Sequence, residues 1–262
     1  MAEIEKYNPQ VLVPHGLVVT RSWLLSKGVK RHTLDNWIKS DQLSSIAYGV
    51  YKRPDTKVTW QGIVCSLQRM GNDLCPGGIT ALELQGLGHY SELGYHKTIH
   101  LYGGDNLPAW TSKLLMDVAF VRHSERQLFK EGKFLNHDYN SELPWGLDEW
   151  PMTVSSPERA FFEVLLDVPD AISFEHADQL MQGMVNLSPR RLNKLLERCA
   201  SIKVRRLFLW FTERHQHAWV KKTDVDCYTM ESGLLGSGKR VLAKGGKLDA
   251  RYLITVPEEM HG

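Results

Sequence analysis

Within residues 20–53, TRSWLLSKGVKRHTLDNWIKSDQLSSIAYGVYKR, the apolar spacing changes from helical to strand-like, and few folds accommodate that order in so short a stretch. The pattern predicts two short helices joined by a tight glycine turn and followed by a two-stranded ribbon, the outline of a winged helix-turn-helix. Thr20 is placed to cap the first helix, and Trp23, Leu24 and Leu25 give it an apolar face. Gly28 stands where a chain leaving a helix needs positive φ.

The second helix, over roughly 30–40, has two different faces. At about 100° per residue, Leu34, Trp37, Ile38 and the helix-end Asp41 fall on one side. His32, Asp35, Asn36 and Lys39 fall on the other, with Lys30, Arg31 and Thr33 on the first turn. Asn and Arg pair bidentately with adenine and guanine edges, and base contacts concentrate on the first turn of a recognition helix. This helix is therefore expected to enter a DNA major groove. Residues 43–46 and 49–52 read as strands around an Ala47-Tyr48-Gly49 tip. That wing would bring Tyr48, Lys52 and Arg53 to phosphates, with Arg21 adding to them from the first helix. Across 21–53 seven basic residues (Arg21, Lys27, Lys30, Arg31, Lys39, Lys52, Arg53) face only Asp35 and Asp41, an excess that suits a polyanion.

A chain of 262 residues with 42% hydrophobic side chains has room for two cores. The expected fold class is α+β: a winged helix-turn-helix domain with bracing helices over 1–90, then a larger mixed helical and β-hairpin domain over 91–262. Net charge is only +2, so any nucleic acid must be met by local patches. Such patches exist: 131–178 holds eleven acidic and two basic residues, whereas 189–222 holds ten basic and two acidic. Cys65, Cys75, Cys199 and Cys227 show neither a C-x-x-C spacing nor a secreted disulfide framework. No apolar leader precedes the acidic start, and no apolar run nears the ~20 residues of a membrane span, so a cytoplasmic protein is expected.

Along the chain, 2–13 reads as an opening helix and 17–19 as a small strand. A helix follows over 60–70, with Trp60, Ile63, Val64, Leu67 and Met70 at helical spacing, and Thr80 is placed to cap another over 81–85. Residues 97–102 and 117–121 read as strands, whereas 130–152 reads as irregular but packed through Tyr139, Trp145 and Trp150. Ser156-Pro157-Glu158 and Ser188-Pro189 are helix starts, and four helices are expected between 157 and 211. In the last of them Arg205 and Arg206 should face outward. A hairpin is expected from 239–243 and 251–256 around the Lys244-Gly245-Gly246 turn. Arg190, Arg191, Arg198, Arg205, Arg206, Lys239, Arg240, Lys244 and Lys247 would then form one basic surface of the second half.

No catalytic constellation stands out. Residues 233–239 carry the glycines and lysine of a phosphate-binding loop, but Arg240 replaces the Ser or Thr that would hold magnesium. His96 and His100 fall in a strand, where a four-residue spacing is not a zinc pair, and His215 and His217 lack a third ligand nearby. Neither a metal nor a cofactor is expected.

The ordered set of motifs resembles the AbiEi family, antitoxins of bacterial type IV toxin-antitoxin (abortive phage infection) systems, over almost the full length. It is carried in front by Leu17-Val-Val-Thr-Arg21, Gly28-Val29, Leu34 and Gly49-Val50-Tyr51. Further on it is carried by Thr80-Ala-Leu-Glu-Leu, Ser155-Ser-Pro-Glu-Arg-Ala160, Val204-Arg-Arg-Leu-Phe208, Gly236-Ser-Gly-Lys-Arg240, Gly245-Gly-Lys-Leu-Asp249 and Tyr252-Leu-Ile-Thr-Val-Pro257. The resemblance implies an autorepressor that binds inverted repeats in promoter DNA. It also implies a C-terminal domain that counters a nucleotidyltransferase-like toxin without a stable complex. Family members often carry arginine where Tyr48 stands, which shifts the wing's phosphate contacts onto Lys52 and Arg53. With no heptad seam present, a monomer that pairs on DNA is expected. The alternative is a nucleic-acid-processing enzyme or RNA-binding module that uses the basic C-terminal region.

Overall fold

Caps and apolar spacing set the first elements as expected. In the computed structural model, which describes residues 8–88, 97–114, 116–129 and 137–261, Thr20 accepts a hydrogen bond from the Trp23 amide and opens a helix over Arg21–Ser26. Gly28 follows with φ 92°, and the next helix covers Arg31–Lys39. With the short helix Pro9–Leu12 these are α1, α2 and α3. Strand β1 (Val19–Thr20) leads into α2, while β2 (Ser44–Ala47) and β3 (Val50–Lys52) form the ribbon after α3. The three strands make an antiparallel sheet in the order β1-β3-β2, with Val19 opposite Tyr51 and Ser44 opposite Lys52. Leu24, Val29, Leu34, Trp37, Leu43 and Tyr51 bury one another between helices and sheet. Asp41 departs from its expected place on the apolar side: it is exposed, with φ 54°, and turns the chain out of α3.

Helix α4 (Trp60–Arg69), capped by Thr59, packs Ile63 and Leu67 against Val18, Val50 and Leu74. Gly62 lets the chain at Gly16 approach closely, because a Cβ there would collide with the Gly16 carbonyl and the Trp145 ring. β4 (Cys75–Pro76), β5 (Lys97–Tyr102) and β6 (Val118–His123) form a second small sheet in that order. Helix α5 (Gly78–Leu84) starts earlier than expected. Gly77 is its N-cap and Thr80 lies buried inside it rather than capping it. Part of the stretch expected to be irregular is a hairpin of β7 (Asn140–Trp145) and β8 (Trp150–Ser155). Residues 130–136, His96 and the start of the expected opening helix lie outside the described residues.

The remaining helices are α6 (Pro157–Asp167), α7 (Phe174–Gly183), α8 (Pro189–Arg198) and α9 (Ile202–His215), each opened by a serine that accepts from the first turn. Phe161, Phe162, Phe174, Phe208, Trp210, Phe211 and Trp219 meet edge-on, tilted or stacked in their core, each worth on the order of 1.5–3 kcal/mol by burial. The closing hairpin pairs β9 (Lys247–Asp249), not 239–243, with β10 (Ile254–Val256). Residues 240–243 run beside β10 with an isolated parallel bridge between Arg240 and Ile254, and the Thr255 hydroxyl accepts the Leu242 and Ala243 amides.

By internal packing the chain forms two units of α+β structure. The first gathers Met1–Cys75, Gly94–Arg122 and Glu142–Val154, and the second gathers Pro76–Leu93, His123–Ser141 and Ser155–Gly262. Both draw on sequence from either side of the expected 90/91 boundary. Among the described residues no helix is long and apolar enough to cross a membrane.

Candidate nucleic-acid interface

Helix α3 buries Leu34 and Trp37 and thereby turns its other face to solvent. Lys30, Arg31, His32, Asn36 and Lys39 are exposed and Thr33 is half-buried. The start of this helix differs from the others. Among the described α-helices every other N-terminus has a side-chain acceptor: Asn8, Thr20, Thr59, Ser156, Ser173, Ser188 and Ser201 as caps, and the Glu163 carboxylate on the Gly78 amide of α5. At α3 the N-cap is Lys30, no side chain accepts from the first turn, and no acidic residue stands there. Amide donors, the positive end of the helix dipole and the cations of Lys30 and Arg31 therefore coincide, an arrangement that an external anion would relieve.

The remaining predicted contacts divide. Arg21 is half exposed and pairs with Asp35 of α3 at 3.2 Å. Tyr48 at the ribbon tip is fully exposed, and Gly49 behind it has φ 70°. The Gly49 carbonyl accepts the Arg21 amide at 2.7 Å, which ties the wing to the start of α2 through a link that no side-chain pattern announces. Lys52 is not available to phosphate as expected. Its ammonium donates to the carbonyls of Arg53, Pro54 and Thr56 at 3.1, 3.0 and 2.7 Å, which uses all three of its protons. The Arg53 side chain is mostly covered and lies 3.8 Å from Asp55.

The basic surface expected of the second half is largely occupied by the protein itself. Arg206 does not face outward: it is fully buried and donates to the carbonyls of Leu235, Gly236, Gly238 and Leu253. Arg205 donates to those of Leu196 and Leu234. The glycine-rich loop 233–239 thus turns carbonyl oxygens onto guanidinium groups, whereas a phosphate-binding loop turns amides onto an anion. Arg191 lies 3.6 Å from Glu158, Lys194 pairs with Asp138 at 2.9 Å, Lys247 pairs with Glu258 at 2.9 Å, and Arg198 lies over Tyr139. The Lys194 ammonium holds the Asp138 carboxyl below its usual range. Arg190, Lys239, Arg240 and Lys244 are exposed, and Arg198 and Lys247 remain exposed beside the contacts just given.

Another arginine, within the Ser155–Ala160 motif, is structural. Arg159, fully buried, bonds Glu125 at 2.6 Å, Glu163 at 2.7 Å and Asn140 at 3.0 Å. Burial outweighs that arginine and raises the Glu163 carboxyl. The i,i+4 spacing of Arg159 and Glu163 was the available signal, and it is shared with any solvated helix pair. His215 bonds Asp178 and His217 bonds the Met181 carbonyl, both at 2.8 Å. Among the described residues no group of three His, Cys, Asp or Glu side chains is placed to hold a metal.

Comparison with known proteins assigns this assembly to the transcriptional regulators. A family model described as "Transcriptional regulator, AbiEi antitoxin, Type IV TA system" matches residues 96–257, and its companion for the AbiEi antitoxin N-terminal domain matches residues 7–93. The chain belongs to the AbiEi antitoxin family of type IV toxin-antitoxin systems. No curated protein matches it. Among solved structures it is similar to the crystal structure of the RV2827C protein from Mycobacterium tuberculosis, at 15% identity and a TM-score of 0.49, over 91% of this chain and 85% of that one.

Proposed function

We propose that the first unit is a winged helix-turn-helix that binds the inverted repeats of the protein's own promoter, with α3 in the major groove and Tyr48 on the wing beside the backbone. The observation that carries this reading is the outward face of α3: Arg31, His32, Asn36 and Lys39 are presented together while Leu34 and Trp37 anchor the opposite face. Lys30, Thr33 and Arg21 complete the contact, while Lys52 and Arg53 shape the wing. Two copies meet on paired half-sites, since one such helix reads only a short sequence. The second unit carries the antitoxin role without catalysis, opposing a nucleotidyltransferase-like toxin through a surface that includes Arg190, Lys239, Arg240 and Lys244. The protein acts in the cytoplasm, where its operator is.

The test is fluorescence anisotropy with the duplex upstream of the protein's own gene and a random duplex of equal length. Asn36→Ala is expected to lose about 1–3 kcal/mol on the promoter duplex only, the worth of one bidentate base contact. Arg31→Ala is expected to lower affinity and salt slope together. Equal binding of both duplexes by the wild-type chain refutes the reading.

A further inference from the structure

Arg69 ends helix α4 and has partners on three other elements. Its guanidinium donates to the carbonyl of Leu12 at 2.8 Å and to that of Val11 at 3.4 Å, at the close of α1. It lies 4.9 Å from the ring centre of Trp23 in α2 and 5.6 Å from that of Trp150 in the β7–β8 hairpin. Among the described residues no carboxylate pairs with it. The charge therefore joins elements and neutralises no acid. A guanidinium can donate in its plane while its faces meet aromatic rings, a combination that an ammonium does not reproduce.

The hairpin is fixed to α4 in two further ways. Gln68 donates to the Thr153 carbonyl at 2.7 Å and accepts the Thr153 amide at 2.9 Å, as a neighbouring strand would. The Trp145 ring covers the place where Gly16 and Gly62 touch. All these residues belong to the first unit. Only Lys27, Gly28, Val29 and Lys30 separate α2 from α3, so a shift of α2 carries the recognition helix with it.

We propose that Arg69 is a positioning residue for DNA reading. It makes no contact with DNA, and it sets how α3 is presented by holding α1, α2 and the hairpin at the end of α4. This rests on the DNA-binding reading above.

The experiment compares full-length wild type, Arg69→Lys and Arg69→Met below their melting transitions. It measures affinity for the upstream duplex and for a random duplex across a salt series, and the amide spectrum of residues 31–39 without DNA. Both variants are expected to lose promoter preference on the order of tenfold, about the loss of one base contact. The salt slope should not change, because no phosphate contact is removed, and the amide signals of 31–39 should shift. A slope reduced in Arg69→Met and restored by Arg69→Lys would make Arg69 a direct phosphate contact and overturn the proposal. Wild-type preference with only a lower Tm would overturn it in favour of a stability role. If the wild-type chain itself shows no preference, the DNA reading fails separately. The amides then decide what is left of the proposal: unchanged signals in both variants reject it outright, and shifted signals uphold only that Arg69 sets the placement of α3, with its link to DNA overturned.

Discussion

Arg159→Met would remove a fully buried cation and leave Glu125 and Glu163 facing each other's charge in the second unit. Glu163 would keep the Gly78 amide at 2.7 Å and the Ser155 hydroxyl at 3.0 Å, while the Glu125 carboxylate would lose its described partner. Breaking a buried pair from one side costs about 3–5 kcal/mol. At roughly 2–4 °C per kcal/mol this is a fall of about 6–20 °C in Tm. The pH dependence has a definite sign. Glu163 has its carboxyl raised in the fold, so it contributes stability fully below its unfolded value of 4.5 and loses it as pH rises toward the folded value. Without Arg159 that folded value climbs further, and the variant's deficit is largest near neutrality and smaller at about pH 5. Circular-dichroism melts of both proteins at about pH 5 and pH 8 measure this. A loss below roughly 1 kcal/mol, or the same loss at both pH values, would refute the reasoning.

Arg206→Met should destabilise the second unit by roughly 2–4 kcal/mol and open the 233–240 loop to limited proteolysis, because four carbonyls lose a charged donor together. Lys52→Met should lower Tm and leave the salt slope of DNA binding unchanged, as its three protons are already bound within the wing. Tyr48→Ala should keep stability within about 0.5 kcal/mol while weakening DNA binding, since the side chain is fully exposed. A thiol reagent at about pH 8 should modify Cys227 rapidly and spare the others: Cys65, Cys75 and Cys199 are buried, and burial pushes the Cys65 and Cys199 thiols up to about 11. Fast reaction of more than one thiol in the native protein would count against this.

What could be read from the sequence was local. The helix pair and ribbon of 20–53 were legible because Thr20, Gly28 and the Leu34/Trp37 spacing act within a few residues of one another. The Ser-Pro starts of α6 and α8 were legible for the same reason. What failed depended on partners far away in the chain. Arg206 has the pattern of a solvated arginine until carbonyls some thirty residues later enclose it. The β7–β8 hairpin is acidic and broken by turns, and it is held by Gln68 and by packing on Gly16 and Gly62, none of which leaves a periodic trace. At the candidate interface the exposed face of α3 was foreseen. The loss of Lys52 to its own wing was not, since three backbone carbonyls converge on it only once the chain has turned at Pro54.

The order in which the first unit's pieces leave the ribosome follows from their interleaving. Its helices and ribbon are made early, but Val154, the last residue that packs with them, emerges roughly eighty residues after Cys75. At about 5–20 residues per second the early part waits on the order of 4–16 s for its covering hairpin. During that interval the chain exposes the Gly16–Gly62 seam that Trp145 later covers and the guanidinium of Arg69 that Trp150 later meets. A nascent chain stalled before Val154 would then be a substrate for chaperones and proteases rather than a folded first unit, so damage to the second half of the message would also silence what the first half encodes.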